Sequence, residues 1–147
     1  MNLYAVPPII ASVLLFGLGL LVYTKNREAA LNQTFATLSF VSGVWFCFFG
    51  IAFLQQSQNT ALFLLKIGYS AIIFIPILIA QYVQKFERLK EFKNLFVLLY
   101  SLGCVFVYFL WAGNTIINGT NKFFWGFYPL AGRFHIIFLI FFFLYIS

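Results

Sequence analysis

The feature that most constrains this chain is a series of long, apolar stretches almost free of charge. Four of them cover residues 6–23, 35–54, 61–83 and 95–112, and Lys66 is the only charged side chain within them. A helix rises 1.5 Å per residue and needs about 20 residues to cross about 30 Å of hydrocarbon. The stretches are continuously apolar rather than alternating, which favours helices over strands. The sequence therefore predicts an all-α, polytopic transmembrane helical bundle with four full spans.

The overall composition supports the same fold class. The 147 residues are 63% hydrophobic and only 8% charged, whereas a soluble domain carries about 25% charged residues. No segment is polar enough to form a separate soluble domain, so we expect a single membrane domain over residues 1–147, with the lipid bilayer as its main partner. The net charge of +6 does not indicate nucleic-acid binding, because most of the basic residues lie in connectors between apolar runs.

A fifth apolar segment, residues 135–147, is shorter than the others. As a helix it would extend about 20 Å, which is too short to cross a bilayer. We therefore expect an incomplete fifth span in a chain truncated from a longer protein. A half-span is the alternative interpretation.

The connectors predict an orientation. Residues 24–33 and 84–94 together hold six of the nine basic residues, and cytoplasmic loops are enriched in Lys and Arg. We therefore expect the first and third connectors in the cytoplasm and the N-terminus outside.

The sequence shows no pattern typical of catalysis, a metal site or a cofactor site. Cys47 and Cys104 lie inside apolar runs, without a Cys or His at metal-ligand spacing. His135, the only histidine, opens the last apolar segment, where an interfacial role is the ordinary interpretation. No Asp or Glu occurs within any span, which counts against a proton-coupled transporter. We therefore expect a chain that is not an enzyme and uses no cofactor.

Four residues are candidates for sensing or for a hinge: Lys66, Pro76, Trp125 and Tyr128. Pro76 removes one backbone hydrogen bond in the third helix, so it predicts a kink that is either a hinge or a simple bend. Lys66 either extends its ammonium to the membrane interface or binds a ligand. Trp125 and Tyr128 belong to an aromatic run in the fourth connector, which is either an interfacial anchor or a lid over an outer pocket.

The second helix carries small residues on one face, namely Ser39, Gly43, Cys47 and Gly50. Small residues allow a neighbouring backbone to approach closely in a membrane. This face is either ordinary packing within the bundle or an interface for signalling and homodimer formation.

Several segments also carry a family resemblance. They are residues 2–11 (NLYAVPPIIA), 25–27 (KNR), 32–36 (NQTFA) with Trp45, 65–69 (LKIGY) with Pro76, and 125–129 (WGFYP) followed by Ala131 and Gly132. In this order they resemble the N-terminal seven-transmembrane region of bacterial sensor histidine kinases. The resemblance covers about four and a half helices of that pattern, so we expect this chain to be truncated before the last two helices and any output domain.

The resemblance implies a sensory input region in the bacterial plasma membrane, serving a cytoplasmic output domain or a partner kinase. It assigns no ligand-binding residue. Two other functions stay open from the sequence: a small membrane transporter or channel subunit, and a non-functional remnant.

Overall fold

A computed structural model describes residues 2–89, 93–113 and 115–143, and it confirms the predicted helical fold class. Four helical segments are long and apolar enough to cross a membrane, and each coincides with a predicted span. The elements are a short 3-10 turn (Leu3–Ala5), α1 (Val6–Lys25), α2 (Ala30–Phe53), α3 (Gln58–Ile72), α4 (Ile75–Phe86), α5 (Lys93–Ala112), β1 (Ile117–Phe123), β2 (Gly126–Ala131) and α6 (His135–Phe143). The third span consists of α3 and α4 together. The predicted fifth segment begins with α6, and its residues 144–147 lie outside the described part.

The small-residue face of α2 packs against α1. A Cβ atom at Gly43 would lie 2.8 Å from Cε1 of Phe16, and one at Gly50 would lie 2.7 Å from Cγ1 of Ile9. Neither contact leaves room for a side chain, so the two helices approach closely because these positions are glycine. This contact supports the interpretation of the face as packing within the bundle.

The third span is interrupted where the proline predicts a kink. Helix α3 ends at Ile72 and α4 begins at Ile75, with Pro76 in its first turn. Pro76 has no N–H for the carbonyl of Ile72, four residues earlier. The backbone tightens before it, because the amide of Phe74 donates to the carbonyl of Ala71, only three residues back, at 3.1 Å. The residues around this break are buried, Pro76 completely.

The fourth connector contains a β-hairpin that was not predicted. Strands β1 and β2 pair antiparallel, and the two residues Phe124 and Trp125 form the turn between the paired Phe123 and Gly126. The hairpin is a small addition to the helical bundle. Its base is extended by a hydrogen bond from the amide of Gly132 to the carbonyl of Ile116, at 2.8 Å.

The helices present two chemically different ends. The hairpin end comprises the start of α1, the α2–α3 connector, the end of α5 and the hairpin. The basic end comprises the α1–α2 connector, the end of α4 and the start of α5. The main buried cluster lies beneath the hairpin and joins α3, α5, β1 and α6 through Ile73, Leu110, Ile116, Ile117 and Phe138.

The contact between Gly43 and Phe16 predicts a stability effect. A Gly43→Val variant should destabilise the α1–α2 pair by about 1–3 kcal/mol, because the new side chain displaces the Phe16 ring. Gly17→Val, in α1, is the matched control, since nothing lies within 4 Å of a Cβ atom there. Thermal unfolding in detergent should show a lower midpoint for the Gly43 variant alone. Equal midpoints for the two variants would contradict the packing.

Candidate functional site

A single side chain joins three segments at the hairpin end. The Asn2 side-chain nitrogen Nδ2 donates to the carbonyl oxygens of Phe53, at 2.8 Å, and of Trp125, at 2.6 Å. The Asn2 oxygen Oδ1 accepts from the backbone amide of Tyr4, at 3.1 Å. An amide side chain can make all three bonds at once, because it carries two N–H donors and one acceptor oxygen. We call this arrangement of Asn2, Phe53 and Trp125 the Asn2 clamp.

The hairpin can reach α2 because residue 126 is glycine. Gly126 has φ of +130°, a conformation that side-chain-bearing residues rarely adopt. A Cβ atom there would lie 2.9 Å from Cα of Phe53 and 3.0 Å from its carbonyl oxygen. The glycine therefore permits both the turn and the close approach on which the Asn2 clamp depends.

Aromatic rings cover the hairpin and connect it to the N-terminus. Trp125 stacks on Phe123 with ring centroids 4.7 Å apart, and Tyr128 meets Phe123 edge-on at 6.4 Å. Tyr4 packs edge-on against Phe124 at 5.4 Å. Trp125 and Tyr128, two of the residues singled out in the sequence, thus lie on one aromatic surface.

Beneath this surface, Tyr69 of α3 joins α2 and α6. Its ring stacks on Phe49 at 5.9 Å and lies 6.3 Å from the His135 ring. Nearby, two buried polar atoms have no hydrogen-bond partner in the described part of the chain, namely Oγ1 of Thr120 and Nδ1 of His135. Burying a polar atom without a partner costs free energy. The layer under the hairpin therefore contains aromatic rings and also buried polar atoms that lack a hydrogen-bond partner among the described residues.

Lys66 of α3 extends its ammonium to the C-terminal end of α5. Its Nζ is 3.4 Å from the carbonyl oxygen of Gly113, which follows the last residue of that helix. A cation is favourable there because the last carbonyls of a helix carry partial negative charge. Ser70 lies one turn further along α3, and its Oγ accepts a hydrogen bond from the indole nitrogen of Trp111 at 3.0 Å. This bond also links α5 to α3.

The four predicted residues do not form one site. Trp125 and Tyr128 share the hairpin, and the ammonium of Lys66 lies at the end of α5. Pro76 lies ten residues beyond Lys66 along the third span, which corresponds to roughly 15 Å of helix. A role for each of them in sensing or hinge motion stays a prediction.

The comparison with known families decides the identity. A family model described as the N-terminal 7TM region of histidine kinase matches residues 7–147. The chain belongs to this family. The match confirms the resemblance predicted from the sequence, and this family is the non-catalytic input region of those kinases. No curated protein and no solved structure matches the chain.

Sequence reasoning missed three residues that organise this histidine kinase 7TM region: Asn2, Tyr69 and Gly126. Gly126 was a weak signal, since glycine is favoured at the last position of a four-residue turn. Tyr69 could not be singled out, because the contact that Gly68 admits next to it, with Cδ2 of Phe49 at 3.0 Å from a Cβ atom, is visible only in the structure. Within the residues that the structure describes, no cluster of His, Cys, Asp or Glu could hold a metal ion.

The Asn2 clamp predicts the effect of an isosteric change. Asn2→Asp keeps the acceptor for Tyr4 but places a carboxylate against two carbonyl oxygens, which should cost about 1–3 kcal/mol. Amide hydrogen exchange across β1 and β2 should therefore accelerate by about tenfold or more.

The matched control is Asn32→Asp. Asn32 has the same chemistry at the basic end, where its Nδ2 donates to the carbonyls of Val22 and Asn26, at 3.2 Å each. This variant should leave exchange in the hairpin unchanged. Unaltered hairpin exchange in Asn2→Asp would show that the clamp does not hold the hairpin.

Proposed function

We propose that this chain is the sensory input region of a bacterial signal-transduction protein in the plasma membrane, with its stimulus acting at the hairpin end. The observation that carries the proposal is the Asn2 clamp. Three segments far apart in sequence are held together there by two hydrogen bonds of one side chain. A small perturbation can therefore separate the hairpin turn from the end of α2, because the two hydrogen bonds of one side chain bridge them.

The layer under the hairpin supports the role of a lid. Within the residues that the structure describes, the Thr120 hydroxyl and the Nδ1 atom of His135 have no hydrogen-bond partner, so hydrogen bonding in the resting state is incomplete. A molecule that enters beneath the hairpin gains binding free energy, because it can supply hydrogen-bond partners to these two atoms. A ligand can shift an equilibrium only through such a difference in interaction between two states.

The break at Pro76 supplies a route from the hairpin end to the basic end. Helix α3 is attached to the hairpin through Gln58, whose Nε2 donates to the carbonyl of Thr120 at 3.0 Å. Helix α4 is attached to α2 at the basic end through Lys85, whose Nζ donates to Oγ1 of Thr34 at 2.6 Å. The interrupted backbone at Ile73 and Phe74 lies between these attachments. In our proposal, α3 and α4 move as two rigid pieces about this hinge.

The basic end then delivers the signal. In this proposal it faces the cytoplasm, where an output domain or a partner kinase responds to the position of α4 relative to α2. Its excess of Lys and Arg in residues 24–33 and 84–94 supports that orientation.

The orientation can be tested by labelling single cysteines. In a chain with Cys47 and Cys104 replaced by Ala, Lys122→Cys in β1 should react with a membrane-impermeant maleimide in intact cells. Lys25→Cys, at the end of α1, should react only after lysis, because the basic connectors are expected inside. Labelling of Lys25→Cys in intact cells, without labelling of Lys122→Cys, would reverse the orientation.

Coupling between the two ends can be tested with spin labels at the basic end, on Gln33→Cys and Glu87→Cys in the same cysteine-free chain. Asn2→Asp should shift the distance distribution between these labels, because releasing the hairpin allows α3 to move. Adding Pro76→Ala restores the backbone donor and should abolish that shift. An unchanged distribution in Asn2→Asp, or an equal shift with and without Pro76, would refute the proposed transmission.

A further inference from the structure

A cavity of about 390 Å³ opens between α4 and α5 at the basic end, and Lys85 is the one residue of its described lining that also takes part in the proposed transmission. Its described lining consists of Gln81, Gln84, Lys85, Lys93, Phe96, Val97 and Tyr100. This α4–α5 cavity combines two cations with neutral hydrogen-bonding groups and an apolar wall. No carboxylate occurs among these described lining residues.

The polar groups of the α4–α5 cavity are partly held in place. Lys85 is half-buried, and its ammonium donates to two atoms of α2, Oγ1 of Thr34 at 2.6 Å and the carbonyl oxygen of Ala30 at 3.5 Å, which leaves one N–H for a ligand. The Tyr100 hydroxyl donates to Oε1 of Gln81 at 2.9 Å, across the gap between α5 and α4. Groups that are already positioned lose less conformational freedom when they bind a ligand.

The polar and apolar groups are ordered along the helix axis. Lys93 begins α5, and Tyr100 lies seven residues further on, which corresponds to roughly 10 Å of depth. Phe96 and Val97 lie between them in sequence, and Val97 is 66% exposed on the outer surface of the helix. Positive charge at the end of the helices, followed by an apolar wall, matches a lipid that has an anionic headgroup above its acyl chains.

We propose that the α4–α5 cavity binds one anionic glycerophospholipid from the leaflet at the basic end. The phosphate contacts Lys85 and Lys93 at the helix ends, and an acyl chain follows Phe96 and Val97 toward the deeper pair of Gln81 and Tyr100. The bound lipid bridges α4 and α5 on the basic side of the Pro76 break.

A second groove at the basic end has no charged residue in its described lining and serves as a comparison for the α4–α5 cavity. The groove between α1 and α2, of about 490 Å³, is lined by Phe16, Gly19, Leu20, Tyr23, Gln33, Ala36, Thr37 and Phe40. It is larger but has no charged residue in its described lining, so acyl chains of any lipid can fill it. Of these two cavities, the α4–α5 cavity alone has lysines in its described lining, and lysines distinguish an anionic headgroup from a neutral one.

The proposal is tested by native mass spectrometry of the full chain in detergent, with added dioleoyl phosphatidylglycerol or dioleoyl phosphatidylcholine. The unmodified chain should retain one phosphatidylglycerol in preference to phosphatidylcholine. The double variant Lys85→Gln/Lys93→Gln should bind phosphatidylglycerol about thirtyfold more weakly, since each Lys near an anionic surface contributes about 1 kcal/mol. The matched control Lys25→Gln/Arg27→Gln removes two exposed charges from the same end, outside the cavity, and should retain the lipid.

One further variant and one competition measurement complete the test of lipid binding. Val97→Trp fills the apolar wall without changing charge, and it should also weaken phosphatidylglycerol retention, so the test does not depend on the folding of the lysine variant. Inorganic phosphate at the same concentration should not displace the lipid. Equal retention of the two lipids, undiminished binding in both cavity variants, or displacement by phosphate alone would each overturn the proposal.

Discussion

The constraint on which the rest of this structure depends is that hydrocarbon offers no hydrogen-bond partner to the backbone. The amides and carbonyls in the middle of a helix are satisfied internally, but its first amides and its last carbonyls are not. Side chains from other segments serve these positions. Asn2 donates to Phe53 at the end of α2, Lys66 donates to Gly113 after α5, and Asn32 donates to Val22 near the end of α1. At both ends of the bundle, some of the tertiary contacts thus also complete helix ends.

The spans and the break at Pro76 could be predicted from the sequence because both depend on local chemistry. Continuous apolarity over about 20 residues permits little other than a spanning helix. A proline within such a run always lacks its donor, whatever surrounds it. The spacing of the small residues in α2 was enough to predict that they share one face. It did not predict that α1 packs against this face, because the spacing within one helix does not identify the neighbouring helix.

The hairpin and the Asn2 clamp could not be predicted for a related reason. Strand β1 contains Asn118, Gly119 and Asn121, residue types that are depleted in strands, so its local preference argues against the observed structure. Its buried end, Ile116 and Ile117, is instead held by the long-range cluster with Ile73 and Phe138. The partners of Asn2 lie 51 and 123 residues away. Such contacts are properties of the assembled bundle, and a local pattern does not encode them.

The hairpin also has a consequence for the speed of a response. A two-stranded sheet alone is at best marginally stable in water, so this one persists through its attachments to α2, α3 and α6. Release of those attachments opens a short local unit while the long helices stay formed. Hairpins form in about 1–10 μs, whereas collective helix motions take microseconds to milliseconds. In the proposed function, a released hairpin can therefore re-form before the slower helix motions are complete.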